Sequence, residues 1–209
     1  YQKMRAALGE EHLNIVTKTA ISQGVTMFNH YMAVGGTSWD DLACDEVYTS
    51  YEFCAAIDEY GKIRENLYKA KEINYFLESF GLANTDEREN LELGENVYAV
   101  RRKDYDNDCS WLFVRNMNPE TTLIPFSHFT FYLSPYDMKI CAENLQLNAC
   151  KIIFSDAEIF ARIKDESHEV IFFFSDENAK IHLEKDGDKI SIDANKRDCR
   201  RARHGFGRV

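Results

Sequence analysis

The sequence predicts an α+β protein, with a helix–strand–helix region first and an antiparallel, sandwich-like β region after it. Three observations carry this. Helical periodicity fills the stretches before and after residues 25–60. One short apolar run, Val25 to Val34, is partly β-branched and ends at Gly35-Gly36. From Asn96 onward, short alternating or apolar runs recur between turn signals such as Asp106-Asn107-Asp108, Asn118-Pro119 and Asp186-Gly187-Asp188.

The first helix is expected from Gln2 to about Gln23. Met4, Leu8, Leu13, Val16 and Ala20 recur along one side, and Gly24 stands where a C-terminal cap belongs. Val25–Val34 then reads as a buried parallel strand. A second helix is expected over Ile63–Phe80, with Leu67, Ala70, Ile73, Tyr75 and Leu77 as its apolar side and Gly81 ending it. Helix, strand, loop, helix is the order of a parallel α/β sheet or barrel, though it supplies only about a quarter of a closed barrel.

Residues 83–95 (ANTDERENLELGE) are acidic and read as a linker. Strands are expected at 96–102, 109–116, 121–133, 138–142, 150–154, 170–174, 180–184 and 189–193. The end of the chain, from Lys196, holds six Lys or Arg and one Asp. It reads as a disordered basic tail.

The 209 residues suffice for one large domain or two small ones with real cores. The net charge of −10 argues against nucleic acid and anionic membranes as partners and is compatible with a neutral ligand such as a sugar. No apolar run reaches the roughly 20 residues of a membrane span. The opening YQKMRAAL reads as mid-helix, so the true start is expected upstream of Tyr1. Neither Asn116-Met117-Asn118 nor Asn84-Thr85-Asp86 forms a glycosylation acceptor.

None of the six cysteines forms a C-x-x-C pair, so no structural zinc site is expected. Buried free thiols and a Cys141–Cys150 disulfide both stay open. His30 with His128, and Asp186 with Asp188, lack ligand spacing. No metal and no cofactor is assigned.

The densest functional signal is Phe28–Tyr60, FNHYMAVGGTSWDDLACDEVYTSYEFCAAIDEY. A strand that ends in a glycine turn and a polar-aromatic loop is how α/β enzymes build one wall of a site. Asn29, Tyr31, Met32, Gly35, Gly36 and Thr37, followed by Thr49, Ser50, Tyr51, Ala55 and Glu59, match two runs found in one family. The segment resembles the family 35 β-galactosidases. SPYDMKI and KIIFSDAEIF extend the resemblance weakly into the β region.

That resemblance implies the terminal βα portion of a (β/α)8 TIM barrel over residues 1–82, followed by the next β domain of the family over 96–195. The activity implied is retaining hydrolysis of terminal β-galactosyl residues, by one glutamate nucleophile and one glutamate acid. In the family both glutamates precede the matched segment, so no catalytic residue is expected in this chain. It would be a fragment, inactive alone, whose partners are a β-galactoside and the missing N-terminal part of the barrel. A secreted or lysosome-like compartment is implied by resemblance alone.

Tyr31 and Tyr51 match tyrosines of the galactose pocket. Phe53 stands where a second tyrosine is usual and lacks its hydroxyl. Trp39 could stack on a sugar, in a loop where Ser38 and Asp40 replace the usual Asn and Gly. Each also has a plain reading, as a core tyrosine or a loop anchor. The carboxylates Asp40, Asp41, Asp45, Glu46, Glu52, Asp58 and Glu59 read mostly as a solvated rim. The reading from a different class is a noncatalytic carbohydrate-binding or structural β module.

Overall fold

The computed structural model describes residues 9–40, 42–43, 49–82, 85, 87–126, 129–166, 168–175 and 179–194. Met4, Leu8, Asp41, Cys44, Asp45, Glu46, His128 and the basic tail lie outside the described residues.

Among the described residues, two helices and thirteen strands form an α+β, β-rich fold. Helix α1 is Glu10–Ser22 and α2 is Glu65–Phe80. Strands β1 (Gly36–Thr37) and β2 (Ser50–Tyr51) form a small ladder between the helices. The remaining strands are β3 (Arg88–Gly94), β4 (Val97–Asp104), β5 (Cys109–Asn116), β6 (Thr122–Phe126), β7 (Phe129–Leu133) and β8 (Asp137–Gln146). They continue with β9 (Lys151–Ser155), β10 (Glu158–Lys164), β11 (Glu169–Phe174), β12 (Ala179–Lys185) and β13 (Asp188–Ala194).

Seven of them make one antiparallel sheet in the order β13-β12-β9-β8-β5-β4-β3. The alternation of side chains explains why this sheet is buried on both faces. Along β5, Trp111 and Phe113 enter a core shared with the helices, while Leu112 and Val114 enter a second core beneath the β6–β7 hairpin. The β10–β11 hairpin and both helices cover the first of these cores. The second layer of the expected sandwich is thus made of hairpins and helices rather than another broad sheet.

Helices and sheet share one core. Ile21, Ile73, Phe76 and Phe80 pack with Trp111, Phe113, Ile140 and Ile159. Phe76 and Phe80 stand 5.0 and 4.7 Å from the Trp111 ring. The Trp111 indole N–H donates to Asp104 Oδ2 at 2.6 Å, which satisfies its buried polar end. Asn116 donates to Glu120 O and Ser134 O and so anchors the β6–β7 hairpin.

The buried side of α1 departs from the expected apolar stripe. Asn14, Thr17, Lys18 and Ile21 are buried at helical spacing, whereas Val16 is 51% exposed. The side-chain nitrogens of Asn14 and Lys18 are tolerated there because they are paired. Asn14 donates to Asp137 Oδ1 at 2.8 Å, and Lys18 Nζ donates to Met138 O at 2.7 Å and to Glu158. Burial pushes the Glu158 carboxyl upward, with Lys18 and Lys69 opposing it. This cluster fastens α1 to β8 and β10.

Three further expectations are corrected. Val25–Val34 is not a strand. It makes one isolated parallel bridge, Val34 to Ile57, and Val25, Met27 and Val34 are exposed. A buried parallel strand needs a neighbouring strand and covered faces, and among the described residues no strand pairs with this segment. The 83–95 segment is not all linker, because Arg88–Gly94 is the edge strand β3, tucking Leu91 and Leu93 against the second core. The 121–133 run is a hairpin of two strands. Cys54, Cys109, Cys141 and Cys150 are free thiols, and burial raises the pKa of Cys109 and Cys141.

Candidate functional site

The chain between the helices folds back on itself around two glycines. Gly35 N donates to Ile57 O at 2.7 Å and Ile57 N to Ala33 O at 3.0 Å, which sets residues 33–35 beside 57. A Cβ added at Gly35 would meet Glu52 Cγ and Glu59 N at 3.0 Å, so only glycine fits that approach. Gly36 pairs with Tyr51, and Thr37 with Ser50. A Cβ at Gly36 would meet no atom within 4 Å. Directly paired residues project to the same face, so open space lies beside Tyr51.

Three aromatic side chains converge there. The Tyr31 and Tyr51 hydroxyls are 2.9 Å apart. Phe53 lies edge-on to both, with ring centroids 4.9 Å from Tyr51 and 6.2 Å from Tyr31. Tyr31 is 69% exposed, so its hydroxyl and ring remain open to a ligand. The plain reading of Tyr31 as a core tyrosine is therefore set aside. Met32, Asp40, Phe53 and Cys54 all adopt positive φ. Non-glycine residues held there cost about 1 kcal/mol or more each, and such strain gathers at binding sites. Trp39 is exposed in the loop after β1 and takes no part in the ring cluster.

The carboxylates divide. Glu52 and Asp58 are buried rather than forming a solvated rim. Arg64, at the start of α2, pairs with Glu52 and stands 3.9 Å from Asp58. Its Nη1 donates to Ala55 O at 3.1 Å. The Lys62 amide, 2.8 Å from Asp58 Oδ1, is the main reason that carboxyl lies below its usual range; burial opposes it, and Tyr60 N and Arg64 assist. Glu59 accepts from Thr37 Oγ1 at 2.5 Å. Thr37 and Tyr51 belong to adjacent pairs of the ladder, which project to opposite faces, so Glu59 is tied behind the tyrosines.

The sequence alone does not single out Arg64. Its one local signal is its place just before α2, which says nothing of its partner twelve residues earlier. Among the described residues, no group of three or more His, Cys, Asp or Glu is placed to hold a metal, and Asp186 sits in the β12–β13 turn that Asp188 ends. Among the described residues, no helix is long and apolar enough to cross a membrane.

The cluster presents two phenol hydroxyls and a ring face, groups that can hydrogen-bond and pack on a small polar ligand. Comparison with known proteins gives a class of protein that the chain resembles. Residues 1–76 match the family model described as Glycosyl hydrolases family 35. Beta-galactosidase A of Aspergillus oryzae is 25% identical over 195 residues, covering 83% of this chain and 19% of that protein. Beta-galactosidase A of a Penicillium species is 25% identical over 197 residues, covering 83% of this chain and 20% of its own. The probable beta-galactosidase C of Aspergillus niger is 37% identical over 76 residues, 36% of this chain and 8% of that protein. The resemblance to β-galactosidases therefore reaches most of the chain, and the family-model match includes the site residues. The chain spans about a fifth of the length of the first two relatives.

Proposed function

We propose that this chain supplies one wall of the galactose pocket of a retaining glycoside hydrolase that removes terminal β-galactosyl residues. The observation that carries the proposal is the Tyr31–Tyr51 hydroxyl pair, braced by Phe53 and facing the open space at Gly36. Two phenol groups can exchange hydrogen bonds with sugar hydroxyls, and a ring face suits the apolar C–H face of galactose. Phe53 offers a ring without a hydroxyl. Trp39, exposed nearby in sequence, is a candidate stacking platform for the sugar or its leaving group.

In this reading residues 1–82 are the terminal portion of a (β/α)8 barrel, with the Val34–Ile57 bridge as its parallel contact. The acid and nucleophile glutamates come from the preceding part of that barrel. The state of the loop acids supports this: Glu52 and Asp58 are engaged with Arg64, and Glu59 with Thr37. A retaining pair must stand about 5 Å apart across the scissile bond, with one member free to attack. Val25, Met27, Val34, Tyr60 and Ile63 form an exposed apolar set that the rest of a barrel would cover.

The test is to titrate the chain with methyl β-D-galactopyranoside while following tyrosine ring signals by NMR. Saturable shifts of Tyr31 and Tyr51 that galactose-like sugars produce and glucose analogues do not would support the proposal. A flat titration in both this chain and a form extended toward its N-terminus would end it. A noncatalytic carbohydrate-binding or structural module remains the alternative, favoured by the shared core that joins α1 and α2 to the sheet. Glutamate-bearing strands in the reading frame before Tyr1 would decide for the enzyme.

A further inference from the structure

We infer that the Glu52–Arg64 ion pair is the positioning device of the tyrosine wall. Glu52 lies between Tyr51 and Phe53 in the chain, and β alternation turns its side chain away from Tyr51, toward the protein. That side chain is only 5% exposed. It touches both strands of the site. Its Cγ packs where a Gly35 side chain would otherwise stand, and its Oε1 accepts from Glu59 N at 3.4 Å. Glu59 in turn accepts from Thr37. One carboxylate thus links the chain carrying Tyr31 to the chain carrying Tyr51 and Phe53.

Arg64 makes this link rigid. Its Nη2 holds Glu52, its Nη1 holds Ala55 O, and its own backbone N donates to Ala56 O at 2.9 Å. Asn66 adds a bond from its side-chain amide to Cys54 O at 3.0 Å. The first turn of α2 therefore grips the 52–56 loop on the side opposite the aromatic rings. Phe53 and Cys54 sit at positive φ within that grip. A loop held in a sparsely populated conformation keeps it only while its surroundings enforce it. Remove the guanidinium, and the buried Glu52 carboxylate loses an ion-pair partner, which favours reopening of the loop. The tyrosine hydroxyls then lose their 2.9 Å spacing. Arg64 touches no ligand in this account and acts through Glu52.

The value of this device for sugar binding rests on the proposed function above; the placement of the rings does not. The experiment separates the two. Tyrosine-ring NMR signals of the full 209-residue chain are recorded without sugar for the parent, Arg64→Met, Glu52→Gln and Arg64→Lys. Signals are assigned with Tyr31→Phe and Tyr51→Phe, and Tyr98 and Tyr132 in the β region serve as internal controls. The expected result is a shift of Tyr31 and Tyr51 in Arg64→Met, with the control signals in place. Glu52→Gln should give a smaller shift in the same direction, and Arg64→Lys partial restoration. A merely structural role would lower the unfolding temperature without moving those two signals in the folded protein, and that result overturns the inference. Should Arg64→Met fail to fold, the graded pair Glu52→Gln and Arg64→Lys decides on the same criterion. Galactoside titration of the same proteins is then expected to show about tenfold weaker binding in Arg64→Met, the worth of one well-placed hydrogen bond. If the parent binds no galactoside while the ring shifts appear, the sugar reading fails and the positioning role stands.

Discussion

The hydroxyls of Tyr31 and Tyr51 lie 2.9 Å apart although the residues are twenty positions apart in the chain. The Gly35–Ile57 and Gly36–Tyr51 pairings bring them together, with Phe53 edge-on to both rings. The geometry makes the two phenols one unit. Tyr31→Phe and Tyr51→Phe should each weaken galactoside binding by about 1 kcal/mol, roughly fivefold. The double variant should lose less than the sum, because each single change already breaks the shared bond. A double-mutant cycle by calorimetric titration measures this. Strict additivity would mean that the two hydroxyls act separately.

The two glycines should separate fold from function. Gly35→Ala puts a methyl group 3.0 Å from Glu59 N and Glu52 Cγ, so it should destabilise the protein by about 1–3 kcal/mol. Gly36→Val meets open space and should leave the unfolding temperature nearly unchanged. It should nonetheless cut galactoside binding by about tenfold or more, because the added side chain projects beside Tyr51. Thermal unfolding and sugar titration of the two variants check the contrast.

Lys18 and Glu158 form a buried pair between α1 and β10. Lys18→Met leaves Glu158 buried without it and should cost about 3 kcal/mol at neutral pH. For a domain of this size that is about 8 °C in the unfolding temperature. The deficit should shrink as the pH falls. Burial raises the Glu158 pKa, so the folded state takes up a proton before the unfolded state does and gains stability in acid. Combining Lys18→Met with Glu158→Gln should recover much of the loss. Unfolding curves of the single and double variants against pH test both claims.

Asp58 works in the opposite sense. The Lys62 and Tyr60 amides, with Arg64, hold its carboxyl below the ordinary 3.8. Its stabilisation is present above that value and is lost as the pH falls through the lower folded-state value. Asp58→Asn should therefore be less stable than the parent at about pH 6 and converge with it toward about pH 2. Parallel curves across that range would show that Asp58 contributes nothing pH-dependent.

Much of this fold is legible in the sequence. The CSWLFV run of β5 is apolar at successive positions because Trp111 and Phe113 serve one core while Leu112 and Val114 serve the other. Where one face is polar, the reading fails. RENLELG looks like an acidic linker, yet Leu91 and Leu93 alternate correctly for an edge strand with one covered face. Helix α1 misleads in a different way. Its buried stripe contains Asn14 and Lys18, whose partners Asp137 and Glu158 lie more than 120 residues away. Val25–Val34 has a strand's composition but, among the described residues, only the bridge at Val34 to pair with. At the site, Tyr31 and Tyr51 were found through a motif, and no spacing rule would have joined them. Glu52 reads as one of the rim carboxylates, and its pairing with Arg64 is not legible because an ion pair across a loop depends on the path of that loop.

In the proposed function this chain builds a sugar-holding wall and takes its cleaving groups from the preceding chain. The most direct measurement is hydrolysis of p-nitrophenyl β-D-galactopyranoside by residues 1–209, beside the same protein extended toward its N-terminus. The account predicts turnover by the extended form, reduced in Tyr31→Phe, and none by residues 1–209. Sustained turnover by residues 1–209 alone would contradict it, since an acid and a nucleophile would then have to lie within this chain.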